Sequence, residues 1–259
     1  MCRLVAYHGD PLPLRTPVFG GTHSLYRQSW APRELLTGSV NVDGYGVAWL
    51  PEGGSGTLVR LARVEPIWHD PDLPGVLGAI RSGRILAALR NATPGLPVER
   101  AAVLPLVHGD RALVLNGYVP GFRARHMRTL RAPLDDAWYA ALAGTGDAET
   151  LFLRFLQSVE RGTEPGAALV EVVQAVEALL DEEDLAPLTL VTQGPEGITA
   201  LHTAWKAPVN SLYLAEGVKL APRGVLLASE PLTTGPGWTP VPRHVLVRIG
   251  DGGVSVEPL

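Results

Sequence analysis

The sequence predicts an α+β protein in which helices pack on largely antiparallel sheets. Short apolar runs bounded by Gly and Pro fill residues 3–115, helical patterns fill residues 121–182, and strand patterns return from Leu188 onward. Strands and helices that are segregated along the chain in this way, without regular βαβ alternation, are typical of α+β proteins. The 29 Gly and 23 Pro residues agree with many turns between short strands.

Length and composition indicate a globular chain with a substantial core. The sequence has 259 residues, of which 46% are hydrophobic and 19% are charged. A chain of this length buries roughly 70–75% of its unfolded surface. No internal repeat, low-complexity tract or Pro/Ser-rich linker divides the sequence. We therefore expect one domain that spans residues 1–259.

Charge, hydropathy and cysteine content argue against several classes of protein. The net charge of -4 disfavours non-specific binding to nucleic acid. The sequence has no apolar run long enough for a membrane span, and its N-terminus lacks the pattern of a signal peptide. A single cysteine cannot form an intramolecular disulfide. We expect a cytoplasmic protein, and a homo-oligomer is left open.

The sequence carries no signature of a cofactor or a metal. Neither a Walker A phosphate loop nor a G-x-G-x-x-G fingerprint occurs, and the G-x-S-x-G nucleophile elbow is missing as well. The seven His residues are scattered, without the spacing of metal ligands. We expect no cofactor and no metal.

Strands dominate the first half of the chain. Residues 3–8 are predicted to form a buried strand because residues 4–7 are consecutive apolar residues, and Gly9-Asp10-Pro11 is expected to end it. Apolar runs predict further strands at residues 47–50, 57–64, 85–89 and 112–115. Helical spacing predicts short helices at residues 22–33 and 72–83.

Helices dominate residues 121–182, and strands follow them. Apolar residues repeat at helical spacing through residues 151–159 and 170–180, and Pro187 is expected to stop the helical run. Short β-branched runs then predict strands at residues 188–192, 198–202, 211–215, 225–228, 245–249 and 254–256.

Cys2 is the only cysteine and directly follows the initiator Met. A small residue at position 2 permits removal of Met1, which would give Cys2 both a thiol and a free α-amine. Such an amine has a pKa of about 7.7–8.0, so it can accept the thiol proton near neutral pH. A nucleophile activated by its own N-terminal amine is an established arrangement. Taken alone, Cys2 could also be an incidental small hydrophobe.

Further polar residues come at the ends of predicted strands and at a helix start. Arg90 and Thr93 follow one strand, Asn116-Gly117 ends another, and Asp147 opens a helix. Each has an ordinary structural explanation: a surface cation, a hairpin turn and a helix N-cap, respectively. Strand ends are also where a rigid scaffold presents a functional site.

Taken together, these residues form an ordered pattern along the first 150 positions. Its pieces are Met1-Cys2-Arg3, Asp43-Gly44-Tyr45-Gly46, Arg90-Asn91-Ala92-Thr93-Pro94-Gly95, Leu115-Asn116-Gly117 and Gly146-Asp147-Ala148-Glu149-Thr150. In this order they resemble the class II (N-terminal cysteine) glutamine amidotransferases of the N-terminal-nucleophile hydrolase superfamily.

The resemblance implies a four-layer αββα fold, with two stacked, mainly antiparallel sheets between helical layers. It also implies a cysteine-dependent amidohydrolase. Cys2 would attack the γ-carbonyl of a glutamyl group, with its own α-amine as the base. The side chain of Asn116 and the backbone N–H of Gly117 would form the oxyanion hole.

The same resemblance implies how a small-molecule γ-glutamyl substrate would be bound. Arg90 would bind the α-carboxylate, supported by Thr93, and Asp147 would bind the α-ammonium. These pairings agree with elementary chemistry, because a planar guanidinium matches a carboxylate bidentately and a carboxylate complements an ammonium.

A narrower resemblance runs along nearly the whole chain. The sequence is similar to the ergothioneine-pathway members of the family, which are stand-alone hydrolases that remove glutamate from γ-glutamyl-hercynylcysteine sulfoxide. The stretches that carry this similarity are residues 28–33, 41–49, 90–99 and 228–232. Two positions depart from the wider pattern, since Leu89 and Leu115 stand where related enzymes often carry His.

Two other functions stay open at this point. One is an enzyme that uses glutamine or another γ-glutamyl compound, for example an amidotransferase that supplies ammonia to a partner. The other is a non-catalytic protein that binds a γ-glutamyl ligand. Candidate residues for contacting the non-glutamyl half of a substrate are Trp30, Tyr45, Ser229, Glu230 and Trp238.

Overall fold

The computed structural model describes residues 2–92 and 98–259, and this part of the chain forms two stacked sheets with helices on their outer faces. In chain order the strands are β1 (Arg3–Pro13), β2 (Tyr45–Trp49), β3 (Val59–Arg63), β4 (Arg81–Leu89), β5 (Leu106–His108), β6 (Arg111–Gly117), β7 (Ala186–Gly194), β8 (Gly197–Trp205), β9 (Tyr213–Glu216), β10 (Gly224–Ala228), β11 (Thr239–Pro240), β12 (Val245–Gly250) and β13 (Gly253–Pro258).

The helices fall into an N-terminal and a central group. They are α1 (Arg15–Phe19), α2 (Leu25–Gln28), α3 (Leu73–Ala79), α4 (Met127–Arg131), α5 (Asp136–Ala140), α6 (Asp147–Glu160) and α7 (Pro165–Glu177). Short 3-10 turns lie at Ile67–His69 and Arg100–Ala102, and a π-helical turn lies at Phe122–His126.

Both sheets are antiparallel throughout their described strand pairs. The seven-stranded sheet has the order β11-β9-β10-β1-β4-β2-β3, and the six-stranded sheet has the order β13-β12-β8-β7-β6-β5. Strand β1 lies near the middle of the first sheet, and β6 and β7 lie side by side in the second. The strands that carry the N-terminal motif and the Asn-Gly motif therefore belong to different sheets.

Strand β1 is buried on both faces, which explains its continuous apolar run. Successive side chains of a strand point to opposite faces. Leu4 and Ala6 belong to the core between the sheets, whereas Val5 and Tyr7 belong to the core that the first sheet shares with α1, α2 and α3. The apolar run therefore fills two cores.

Helices α6 and α7 cover the outer face of the second sheet. Phe152, Phe155, Leu169 and Val173 belong to the same buried cluster as the apolar residues of β6, β7 and β8. The layers thus follow the order helix, sheet, sheet, helix. This arrangement confirms the α+β prediction and the four-layer αββα fold.

Two predicted boundaries were wrong because sheet pairing outweighs local signals. Gly9-Asp10-Pro11 does not end β1, which continues to Pro13 across a register irregularity. The predicted helix at 72–83 ends at Ala79, since Ser82 instead pairs with β1 as part of β4. Periodicity over a few residues cannot report such long-range pairing.

The predicted helix at residues 22–33 shrinks to the single turn α2. Ser24 caps its start by accepting from the N–H of Arg27. Beyond it, the backbone N–H groups of Arg33 and Glu34 donate to the carboxylate of Glu230 and are therefore not part of a helical ladder. Pro187, predicted to stop the helical run, lies within β7.

The two short strands β5 and β11 were not predicted from the sequence. Neither contains a run of β-branched residues long enough to indicate a strand.

Within residues 2–92 and 98–259, the structure has no helix long and apolar enough to cross a lipid bilayer. The cytoplasmic location, the absence of nucleic-acid binding and the oligomeric state stay predictions.

Candidate active site

A cavity of about 860 Å³ lies where the ends of the two sheets meet the start of α6. Four residues singled out from the sequence, Cys2, Arg90, Gly117 and Asp147, line this cavity. They come from the start of β1, the end of β4, the end of β6 and the start of α6. The tertiary structure thus brings together groups that are up to 145 positions apart in the chain.

Cys2 and Arg90 are neighbours across the first sheet. Strands β1 and β4 are antiparallel, and Arg3 pairs with Leu89 at the end of this ladder. The residue before Arg3 and the residue after Leu89 therefore reach the same sheet edge. Cys2 is buried, with 7% of its surface exposed, and Arg90 is buried to a similar degree.

The stretch at 43–46 supports the segment that carries Arg90. The N–H of Arg90 donates to the carbonyl of Gly44 (2.7 Å), and the N–H of Asp43 donates to the carbonyl of Arg90 (3.1 Å). The Asp43 carboxylate accepts from the N–H of Ala92 (2.7 Å). Gly44 has a φ of +129° and leaves no room for a Cβ, which would lie 2.7 Å from the Arg63 carbonyl.

Asn116 lies beside the cavity and is fully buried in β6. Its carbonyl accepts from Nδ2 of Asn210 (2.8 Å), which fixes the backbone. Neither polar atom of its side chain has a hydrogen-bond partner within the described part of the chain. A buried amide without partners is costly. Asn116 itself is not among the described residues that line the cavity, although its neighbours Leu115 and Gly117 are.

Asn116-Gly117 is not a hairpin turn. These residues pair with Thr189 and Leu188 of β7, so the chain runs straight through the dipeptide. Gly117 is required by close packing, because a Cβ at this position would lie 1.9 Å from the carbonyl oxygen of Pro187.

Asp147 occupies the first position of α6, and Gly146 is the N-cap. The Asp147 carboxylate accepts from the N–H of Val119 and from the N–H of Ala148, each at 2.9 Å. Burial raises the pKa of this carboxyl, while the two backbone N–H groups and the charge of Arg90 lower it in part. An ammonium placed beside Asp147 would favour its charged form.

The rest of the cavity wall is mixed in character. Glu99 and Glu149 add negative charge, Arg123 adds positive charge, and Leu104 and Leu106 supply apolar surface. Such a lining suits a ligand that carries both signs of charge. Thr93 lies outside the described residues.

The candidates for contacting the non-glutamyl half lie away from the cavity lining. Trp30, Tyr45, Ser229, Glu230 and Trp238 are not among the described residues that line the cavity. Tyr45 is buried and donates to Asp70 (2.7 Å), and Nε1 of Trp238 donates to Thr233 (3.0 Å).

Cavity residues that sequence reasoning missed include Thr37, Gly38, Tyr118 and Phe122. Of the two positions that depart from the family pattern, Leu115 lines the cavity, whereas Leu89 packs in the helix-facing core. Residues 37 and 38 lie in an irregular stretch with no periodicity, so no sequence signal marked them.

A buried polar network lies directly behind Cys2. Arg3 donates from Nε to the Cys2 carbonyl and from Nη1 to Glu230, each at 2.9 Å. The sequence motifs included both Arg3 and Glu230. Their 227-residue separation concealed the pairing.

Comparison with known proteins places the chain in a family. It is 33% identical to the γ-glutamyl-hercynylcysteine sulfoxide hydrolase of Mycolicibacterium smegmatis, over 100% of both chains. It is 30% identical to the protein of the same name from Mycobacterium tuberculosis, over 100% of this chain and 97% of that one. No protein-family model matches.

Solved structures show the same fold. A glutamine aminotransferase class-II domain protein from Silicibacter pomeroyi superimposes with a TM-score of 0.73 at 23% identity, covering 100% of this chain and 99% of that one. The glutamine phosphoribosylpyrophosphate amidotransferase of B. subtilis gives a TM-score of 0.66 at 14% identity, covering 100% of this chain and 49% of that one.

Fold and relatives together define an amidohydrolase built on the class II glutamine amidotransferase domain. More narrowly, the chain belongs to the γ-glutamyl-hercynylcysteine sulfoxide hydrolase family. It is an enzyme, and the alternative of a non-catalytic binding protein is set aside.

Proposed function

We propose that this enzyme hydrolyses the γ-glutamyl amide bond of γ-glutamyl-hercynylcysteine sulfoxide and releases glutamate through a thioester at Cys2. The observation that carries the proposal is the single cavity lined by Cys2, Arg90, Gly117 and Asp147. The relatives, which are γ-glutamyl-hercynylcysteine sulfoxide hydrolases by name, suggest the substrate, and the fold supports the class of reaction.

Two oppositely charged side chains would hold the glutamyl group. Arg90 binds the α-carboxylate through its guanidinium, with Thr93 in support, and Asp147 binds the α-ammonium. Asp147 keeps its two backbone donors while it does so, because a carboxylate has about four acceptor sites. This pairing fixes the γ-carbonyl of the substrate relative to Cys2.

Cys2 would act as the nucleophile once Met1 is removed. The α-amine takes the proton of the thiol, and Sγ adds to the γ-carbonyl carbon. The carbonyl oxygen becomes an oxyanion that accepts from Nδ2 of Asn116 and the N–H of Gly117. Donors at this position are worth roughly 3–4 kcal/mol each in comparable sites.

The tetrahedral adduct then collapses to products. The C–N bond breaks, the leaving amine takes the proton held on the α-ammonium of Cys2, and the thioester remains. A water, deprotonated by the same amine, adds to the thioester carbonyl. The C–S bond breaks, the thiolate regains a proton, and glutamate leaves.

A panel of substrates tests the substrate assignment. Protein shown by intact mass to lack Met1 is assayed for glutamate release from γ-glutamyl-hercynylcysteine sulfoxide, glutamine and γ-glutamylcysteine. We expect the highest kcat/KM for the sulfoxide. Preference for glutamine would favour an amidotransferase that supplies ammonia to a partner, and equal rates would refute the narrow assignment.

Two changes at the N-terminus test the mechanism. Cys2→Ala removes the thiol, and insertion of an alanine between Met1 and Cys2 keeps the thiol but moves the free amine to another residue. Both variants should lose hydrolysis. Retained activity in Cys2→Ala would refute the thioester, and full activity of the insertion variant would refute the amine as base. Arg161→Met, at an exposed ion pair, serves as the matched control.

A further inference from the structure

We infer that Arg3 and Glu230 form a positioning pair that fixes the Cys2 backbone and couples it to the cavity wall at Thr37 and Gly38. The inference rests on the proposed function, in which Cys2 is the nucleophile. Neither Arg3 nor Glu230 lines the cavity, so the pair acts through Cys2 and not by touching substrate.

Arg3 holds the residue that precedes it. Its guanidinium is fully buried, and Nε donates to the Cys2 carbonyl at 2.9 Å while Nη1 donates to Glu230 at 2.9 Å. Because guanidinium donors have a fixed planar geometry, the two bonds set the direction of the Cys2 carbonyl. A lysine ammonium is a point charge on a flexible stem and lacks this fixed fork.

The Glu230 carboxylate binds three separate segments of the chain close to Cys2. Its carboxylate accepts from Arg3, from Nε2 of His23 (2.6 Å), and from the N–H groups of Arg33 (2.9 Å) and Glu34 (3.1 Å). The last two begin the stretch that leads to the cavity wall at residues 37 and 38. Displacement of Glu230 would therefore disturb the nucleophile and that wall together.

Hydrogen bonds between Leu4 and Ser229 hold the backbone next to Arg3 and Glu230 in place. Ser229 donates its N–H to the Leu4 carbonyl (3.0 Å), and its Oγ accepts from the Leu4 N–H (2.9 Å). Arg3 precedes Leu4 in the chain and Glu230 follows Ser229, so both members of the ion pair are adjacent to this doubly bonded pair of residues. The edges of β1 and β10 are locked together directly beside Cys2.

A contribution to the stability of the fold does not explain why Arg3 and Glu230 form a buried ion pair. Both side chains are withdrawn from water, and Nη2 of Arg3 has no hydrogen-bond partner in the described part of the chain. Replacing buried ion pairs by apolar residues is often neutral or stabilising, because desolvation of the charges offsets their attraction. The direct bond from Arg3 to the Cys2 carbonyl instead points to positioning of the nucleophile.

The test compares Arg3→Met and Arg3→Lys with the control Arg111→Met, which removes the Arg111–Glu196 ion pair at the opposite end of β6. Each protein is first checked by intact mass for loss of Met1. Four quantities are then measured: kcat, KM, the affinity for the product glutamate, and the rate at which iodoacetamide alkylates Cys2.

We expect both Arg3 variants to lose about 100-fold in kcat, since small displacements of reacting groups cost about this much. KM and glutamate affinity should stay at wild-type values, because Glu230 keeps its bonds to His23, Arg33 and Glu34 and so holds the cavity wall in place. The alkylation rate of Cys2 should change in both variants. Arg111→Met should match the wild type in all four. If Arg3→Met does not fold, Arg3→Lys, which keeps the charge opposite Glu230, carries the test.

An Arg3→Lys variant with wild-type kcat and alkylation rate would overturn the inference. Equal losses in kcat and in glutamate affinity would also overturn it, because they indicate general damage to the fold. Alkylation and glutamate binding need no turnover. Failure of the wild type to hydrolyse any γ-glutamyl compound would therefore refute the proposed function and leave the positioning test intact.

Discussion

The backbone N–H of Val119 donates to the Asp147 carboxylate across 2.9 Å, and this bond joins the segment that leaves β6 to the first turn of α6. The Asn116-Gly117 segment and Asp147 are consequently linked by a direct contact. This contact favours a constant separation between the proposed oxyanion hole and the proposed ammonium site, which a reaction at the far end of the glutamyl group requires.

Asp147→Asn should weaken binding of the glutamyl group. The change keeps the size of the side chain but removes the negative charge that complements the α-ammonium. Charged hydrogen bonds contribute about 1.5–3 kcal/mol, so KM should rise roughly 10- to 100-fold. Steady-state kinetics measure the effect, and Asp135→Asn, at an exposed ion pair with Arg161, should leave KM unchanged.

Glutamate binding should depend on pH through the same carboxyl. Burial raises the pKa of Asp147, so the carboxyl becomes neutral at a higher pH than an exposed carboxyl would. Affinity for glutamate should therefore fall as pH falls through this raised pKa. Calorimetric titrations at several pH values would show this loss in the wild type, and a wild type that binds equally well throughout would contradict it. Asp147→Asn should bind weakly without that dependence.

Asn116→Ala should lower kcat and leave KM nearly unchanged. Nδ2 of Asn116 would donate to the oxyanion, which exists only after attack, so its loss affects the transition state and not the bound substrate. Removal of one such donor costs about 10²–10³ in kcat.

Thr192→Val is the control for Asn116→Ala. Thr192 is a buried polar residue of the adjacent strand, and its hydroxyl donates to the Thr199 carbonyl at 3.0 Å, away from the cavity. The control should keep wild-type kcat. A comparable loss of kcat in both variants would show that Asn116 acts through the sheet and not on the oxyanion.

Gly117→Ala should destabilise the protein and abolish turnover. The added methyl would lie 1.9 Å from the Pro187 carbonyl, and a backbone obstacle cannot be avoided by a change of rotamer. We expect a loss of about 3 kcal/mol in the free energy of unfolding, measured by urea titration. Gly75→Ala in α3, where a Cβ meets nothing within 4 Å, should not destabilise the protein.

Acid should destabilise the fold partly through His202. Burial first, and the charge of His244 second, lower the pKa of His202 from 6.5 to about 4. Above pH 6.5 the imidazole is neutral in both the folded and the unfolded state, so its contribution is complete. As pH falls from 6.5 through about 4, only the unfolded state gains the proton, and about 3 kcal/mol of stability is lost.

Urea titrations at about pH 7 and about pH 4.5 would measure this loss. His202→Gln cannot be protonated, so its free energy of unfolding should fall less between the two pH values than that of the wild type. His69→Gln, at an exposed position, should follow the wild type. Equal acid sensitivity in all three proteins would exclude His202 as the cause.

The candidate site could be assembled from the sequence because its groups lie in short, ordered motifs. Cys2, Arg90, Gly117 and Asp147 all line the cavity, and Asn116 lies next to it. None of the aromatic candidates is among the described residues that line the cavity. Trp30 and Tyr45 are large apolar side chains, and composition cannot separate packing from ligand contact.

By itself the sequence determined the class of fold, most strands and long helices, and the candidate residues of the site. These follow from apolar periodicity and from motifs that are local in the chain. Only the tertiary structure decided where α2 ends, how far β1 extends, and that Arg3 binds Glu230 behind Cys2. Those features depend on groups that are distant in sequence, whose proximity is fixed by packing two sheets and their helices around shared cores.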